Sequence, residues 1–263
     1  DVPLLVQAAI PIGGGELCTA GLAAPVAWAL ARTAELKSGE RVLDPMCGKA
    51  VILMEAALSW PCCEYLGFDL DPHQLGGALQ NAQLGAANGA RMDLLNGDAR
   101  RLPLPSGSVD AVICDVPFGK QHGTVESCRA GLYGPLLAEC DRVVRADSAG
   151  RVVLLSSLEQ EPWVLQAAGF DAAAGGQDLP ARLSSAGRRP WLCRARRSLK
   201  LGALDAVVVV LCRPGEKGGS AEEEALPQLS TRLAWETAGG RGSWASLKVA
   251  DRPPMQPARG REI

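Results

Sequence analysis

Between residues 40 and 212, seven short β-rich runs alternate with longer stretches that suit helices, the pattern of βα units laid on a mostly parallel sheet. The runs are RVLD (41–44), YLGFD (65–69), MDLLNGD (92–98), VDAVICDV (109–116), GRVVLLSS (150–157), a weaker WLCRARRSL (191–199) and DAVVVVLC (205–212). The stretches between them predict helices over 50–59, 71–85, 133–145 and 162–168. The stretch 199–205 that joins the last two runs is short and holds a Gly at 202, so these are expected to form an antiparallel hairpin instead of another crossover. The expected fold is α/β, a Rossmann-like seven-stranded sheet with an antiparallel last strand. A further helix from Thr19 to Leu36 leads in, with Pro25 tolerated in its first turn.

Length and composition set the frame for this pattern. The 263 residues, 47% hydrophobic and 21% charged, have room for one large core and exclude a wholly disordered chain. Residues 1–39 are read as the lead-in, 40–212 as the folded domain and 213–263 as a disordered tail. That tail holds seven Gly, five Pro and an acidic run at Glu222–Glu224. A net charge of −2, from 27 basic and 29 acidic residues, lacks the basic excess of a self-sufficient nucleic-acid binder. The nine cysteines are odd in number, form no C-x-x-C and sit mostly in apolar runs, which points to a reducing compartment and no metal site. No run of 18 apolar residues and no basic leader is found, so neither a membrane span nor a secretory signal is expected. The absence of a starting Met suggests a fragment, with part of the function upstream of Asp1.

The ends of the first four runs carry the chemistry. The first closes on Asp44-Pro45-Met46-Cys47-Gly48 and enters an apolar helix at once, a strand–loop–helix junction where a ligand can approach the backbone. Neither G-x-G-x-x-G nor G-x-x-x-x-G-K-[ST] is present, which disfavours a pyrophosphate, and the Asp44 carboxylate suits an ammonium instead. Asp69, followed by Leu70, closes the second run where a carboxylate can accept from ribose hydroxyls, and Asp98-Ala99 closes the third where one can accept from the amine of adenine. One strand-end Asp is ordinarily a turn residue; three in this order describe a pocket for a nucleoside with a cationic amino-acid tail. S-adenosylmethionine fits that description. The fourth run closes on Asp115-Val116-Pro117-Phe118, which offers a carboxylate, a fixed backbone carbonyl and a ring face to the amino group and plane of a flipped base.

The stretch LDPMCGKAVILMEAA, the Gly-x-Asp strand end and LPLPSGSVDAVICDVPFGK together resemble the class I methyltransferase domain of the THUMP-domain-containing guanosine N2-methyltransferases, over about Thr19 to Cys212. The resemblance implies an S-adenosylmethionine-dependent enzyme that methylates the exocyclic N2 of guanosine in a structured RNA, U6 small nuclear RNA ahead of transfer RNA. It implies an RNA-gripping module upstream, a small zinc-containing activator subunit, and a nuclear location with the cytoplasm second. Position by position, it places the methionine end of the cofactor on Asp44, Pro45, Met46, Cys47 and Gly48, the ribose on Asp69 with Leu70, and the adenine on Asp98 and Ala99. The target base falls on Asp115, Pro117 and Phe118, and Thr19 reaches the cofactor from the other side. Where the family loop usually reads Cys-Gly-x-Gly-Thr, this chain has Lys49-Ala50-Val51 after Gly48, and the Ala methyl is expected to crowd the cofactor if that position needs a positive φ.

Two other readings stay open: a class I methyltransferase acting on another amine, and a methyltransferase fold kept as a binding module. The basic stretch with Arg182, Arg188, Arg189, Arg194, Arg196, Arg197 and Lys200 either lines an RNA path or protects an edge strand. Glu55 is expected to serve a structural hydrogen bond.

Overall fold

The computed structural model describes residues 5–6, 22–87, 89–118, 131–147, 149–170 and 190–214. The chain divides into two compact units, Asp1–Glu216 and Lys217–Ile263, and every described residue belongs to the first. In chain order the elements are β1 (Leu5–Val6), α1 (Ala24–Thr33), β2 (Arg41–Asp44), α2 (Val51–Ser59), β3 (Glu64–Asp69), α3 (Pro72–Ala87) and β4 (Arg91–Asn96). They continue with β5 (Ala111–Asp115), α4 (Tyr133–Val143), β6 (Arg151–Ser157), α5 (Glu161–Ala167), β7 (Leu192–Leu201) and β8 (Leu204–Cys212).

The strands form one sheet in the order β1-β4-β3-β2-β5-β6-β8-β7. β4, β3, β2, β5 and β6 are mutually parallel, whereas β8 runs antiparallel to both β6 and β7, as the short turn at Gly202 requires. All seven expected strands are present. The eighth, β1, pairs two residues antiparallel with β4 and has no sequence signal beyond two apolar residues. Of the fourth run, Val109 only makes an isolated bridge with Val144, so β5 begins two residues later than its apolar pattern suggests.

The two faces of the sheet are covered by different helices. α1, α2 and α3 pack with Val42, Tyr65, Ile113 and Leu155 in one apolar cluster; α4 and α5 pack with Leu43, Val112, Cys114 and Leu154 in the other. β6 is buried over six consecutive residues because a central strand has no solvent side. On α2, Val51 through Ala57 are all buried, Glu55 among them.

Charged groups secure the periphery. Arg151 and Glu40 form a buried ion pair at 2.5 Å, and the Arg151 guanidinium also donates to the carbonyls of Ala34 and Glu35, tying the end of α1 to β6. Arg213 lies beyond the expected domain end, yet it is buried, 3.7 Å over the Trp191 ring and 2.8 Å from Asp141. β7 is the outer strand, and three of its cations pair with acids: Arg194 with Glu35, Arg196 with Glu161 and Lys200 with Asp205. This favours edge protection for the described part of the basic stretch. Arg182, Arg188 and Arg189 lie outside the described residues, as does residues 215–263 of the expected tail. Among the described residues no helix is long and apolar enough to cross a membrane.

Gly67 shows how tightly β3 is set. A Cβ there would lie 2.6 Å from Leu94 Cδ2 and 3.0 Å from both Cys47 Sγ and Leu53 Cδ1. Gly67→Ala is expected to lower the unfolding free energy by about 1–3 kcal/mol through overpacking, read from urea unfolding curves.

Candidate active site

The order of the parallel strands runs outward from β2 through β3 to β4 and then restarts on the other side of β2 with β5, which makes the carboxyl ends of β2 and β5 the switch point of the sheet. Open α/β sheets bind ligands in the crevice at that point, because the chain leaves the two strands in opposite directions. Parallel pairing brings Asp44, Asp69 and Asp115 to this edge as the last residues of β2, β3 and β5, with Asp98 two residues past β4. All four expected carboxylates are therefore gathered at one edge.

They differ in environment. Asp44 is 1% exposed, and its Oδ1 accepts from the Met46 amide at 3.1 Å, closing the turn through Pro45. Burial, helped by the charges of Asp115 and Asp69, pushes its carboxyl up to about 8. Burial likewise pushes Asp115 up to about 7, and its Oδ1 is buried with no hydrogen-bond partner among the described residues. Asp69 instead accepts from the Gly48 amide at 2.7 Å and the Asp71 amide at 2.9 Å, locking the loop after β2 onto the end of β3. Asp98 is held by Arg100, whose backbone and guanidinium bond both carboxylate oxygens, with a closest contact of 2.7 Å that keeps the acid below its usual range. An adenine amine reaching Asp98 would have to share it with Arg100.

The glycine loop shows the backbone that Lys49-Ala50-Val51 adopt. Gly48 has φ +52° and open space where a Cβ would stand, and Ala50 adopts φ +56° as the residue capping α2. The positive φ is indeed needed, at a cost of about 1–2 kcal/mol for an L-residue. Ala50 itself is wholly buried in the apolar cluster with α1, α2 and α3. Cys47 is buried too, its amide donating to the Phe68 carbonyl at 2.8 Å.

Several positioning groups carry no sequence signal. Asn81, fully buried on α3, donates to the Lys49 carbonyl at 2.7 Å and so holds the loop from behind. Asn96 donates to the Asp69 and Leu70 carbonyls, and Tyr133 donates to the Pro117 carbonyl at 3.2 Å. Each looks in sequence like an ordinary helix or strand residue. Ala99 is buried, Phe118 packs against the cluster of α1 to α3, and Leu70 is 67% exposed. Leu70 and Leu158 are the exposed large hydrophobic residues among those described, and both follow strands that end at this edge. Thr19 lies outside the described residues.

A desolvated carboxylate, a second one with an orphan acceptor atom, an open glycine turn and exposed apolar side chains fit a ligand with a cationic amino-acid tail and a planar base, and they fit S-adenosylmethionine. The sequence profile of the RMKL-like methyltransferase domain matches residues 16–168. The chain belongs to this family. It is 43% identical over 139 residues to the U6 snRNA (guanine-N(2))-methyltransferase THUMPD2 of Bos taurus, covering 53% of this chain and 26% of that protein. It is 32% identical over 145 residues to the tRNA (guanine(6)-N(2))-methyltransferase THUMP3 of Mus musculus, covering 51% and 28%. The crystal structure of TrmN from Thermus thermophilus superposes with a TM-score of 0.56 at 27% identity, covering 75% of this chain and 51% of that one. The fold is that of class I methyltransferases, and the chain spans about a quarter of the length of the curated relatives it matches.

Both raised acids have a consequence for stability. Their carboxyls ordinarily titrate at 3.8, so between there and 7–8 the folded chain holds protons that the unfolded chain has lost. Their contribution is fully present below about pH 4 and is lost as pH rises through 7 and then 8. In urea unfolding at constant ionic strength, Asp44→Asn is expected to flatten this fall and to leave the variant more stable than the parent at pH 8 but not at pH 4.

Proposed function

We propose that this chain is the catalytic domain of an S-adenosylmethionine-dependent RNA methyltransferase that forms N2-methylguanosine. The observation that carries the reading is the buried, unpartnered Oδ1 of Asp115 at the end of β5, inside the turn Asp115-Val116-Pro117-Phe118. An acceptor without a donor in a water-poor site is unfavourable by about 1–3 kcal/mol, and a substrate amine supplies the missing donor. The names of the relatives, all guanine-N2 methyltransferases, support guanine as the ring that bears it.

S-adenosylmethionine would supply an electrophilic methyl group on a positively charged sulfur. Asp44, with the turn Pro45 to Gly48, would hold its amino-acid end, Asp69 and Leu70 its ribose, Asp98 and Ala99 its adenine, with Thr19 approaching from the lead-in. The amine of guanine is a weak nucleophile because its lone pair is delocalised into the ring. Asp115 accepts one N–H and so fixes the direction of that lone pair, and positioning of this kind supplies much of the rate. As nitrogen gains the methyl it loses a proton, which Asp115 is placed to take. Tyr133 steadies the Pro117 carbonyl beside it, and Phe118 offers a ring for the base to stack on.

The higher identity to the U6 snRNA enzymes favours a U6 small nuclear RNA over a transfer RNA, and with it a nuclear location. A near-neutral chain that spans a quarter of such relatives fits a catalytic module whose RNA grip lies elsewhere, and the family resemblance adds a small zinc-containing activator as partner.

Two measurements test this reading. Asp115→Ala is expected to lower methyl transfer by about 10²–10⁴-fold while calorimetry still detects S-adenosylmethionine binding; retained transfer overturns the role of Asp115. Because Asp44 is largely protonated at pH 7, binding of a cationic tail should draw it into its charged form. Calorimetry in phosphate and in Tris should therefore report the release of up to one proton, lost in Asp44→Asn.

A further inference from the structure

Gln160 is fully buried, and neither its Oε1 nor its Nε2 has a hydrogen-bond partner among the described residues. It stands in the turn after β6, where its backbone amide bonds the Ser157 carbonyl and hydroxyl and its carbonyl receives the first amides of α5. β6 is the parallel neighbour of β5, with Leu155 opposite Asp115 and the Val116 amide donating to the Leu155 carbonyl. The turns that bear Asp115 and Gln160 therefore leave adjacent strands at the same edge of the sheet. Buried carboxamides are almost always paired, so two orphan atoms on one side chain call for an explanation.

We propose that Gln160 is the residue that selects guanine at the substrate site. This rests on the reading of Asp115 as the acceptor for a base amine. Guanine presents in sequence two donors, the N2 amine and the N1–H, and one acceptor, O6. Asp115 Oδ1, Gln160 Oε1 and Gln160 Nε2 together supply two acceptors and one donor, the complement of that set. Adenine presents its amine beside an unprotonated N1 and would leave Oε1 facing another acceptor. Cytosine sets its amine beside two acceptors and fails in the same way. Because a site built for a hydrogen bond strongly rejects a ligand that lacks the group, three such atoms discriminate far better than an apolar slot. Exclusion of water from Asp115 Oδ1 and from Gln160 strengthens each bond once made.

The test uses the full chain with guanosine and 2-aminopurine riboside at millimolar concentration as probes, binding followed by saturation-transfer NMR, alongside thermal unfolding. 2-Aminopurine keeps the N2 amine and lacks both N1–H and O6. The expected result is that the parent binds guanosine at least about 10-fold more tightly than 2-aminopurine riboside, as two net hydrogen bonds predict. Gln160→Leu should erase that difference. The same variant should raise the melting temperature by about 2–4 °C, because an apolar isostere removes the unpaired amide. Equal binding of the two nucleosides by the parent, no binding of either, or a lower melting temperature in Gln160→Leu with the preference intact would each overturn the proposal. Methyl transfer to RNA is measured separately. Loss of guanine preference in the variant with no transfer by the parent would refute the enzymatic reading and leave guanine recognition standing. Transfer by the parent with an unchanged preference in the variant would do the reverse.

Discussion

Asp44 and Asp115 end neighbouring parallel strands, the first buried and the second with its Oδ1 shut away from water, and much else in the domain serves to keep them there. Two carboxylates in a low-dielectric edge resist ionisation, so the folded chain holds protons on them near neutral pH. That state is costly unless the surrounding scaffold is rigid. The rigidity comes from a sheet clad on both faces: α2 is apolar around nearly its whole circumference, and α4 and α5 close the opposite side. A cationic ligand would relieve the desolvation at Asp44 and a base amine the orphan acceptor at Asp115, so the same burial that opposes ionisation favours binding.

The loop after β2 illustrates how local strain is accommodated. Ala50 takes a backbone conformation that Gly adopts freely, and the penalty is offset by packing its methyl into the core and by three tethers on the loop. These are Asp69 on the Gly48 amide, Asn81 on the Lys49 carbonyl and the Cys47 amide on the Phe68 carbonyl. A loop held at three points keeps its shape without the second glycine of the family pattern. Arg100 plays the opposite part at the far end of the edge, where an exposed ion pair with Asp98 contributes little to stability and can exchange for another donor.

Most of the strands and the four strand-end acids were legible in the sequence, because βα alternation and strand ends are local properties of ten or so residues. The two-residue β1 was not, since its existence depends only on β4 offering an edge. Arg213 reads as the start of a polar tail, yet it is a core residue through Trp191 and Asp141, contacts that span 22 and 72 positions. Asn81 and Tyr133 were equally hidden, because each donates to a carbonyl brought near it by the packing of a different element.

The sequence by itself determined the α/β class, the order of strands and helices and the placing of one acid at the end of each relevant strand, since these follow from periodicity and local turn chemistry. Only the tertiary structure decided which acids stay solvated and which are desolvated. It alone made Asp98 an ion pair, Asp69 a loop anchor, Asp44 a buried acid and Asp115 an acid with one buried oxygen. The physical reason is that a carboxylate's charge state depends on the water and charges within a few ångströms, and those neighbours come from strands up to about 70 residues apart, a distance the chain closes only by folding.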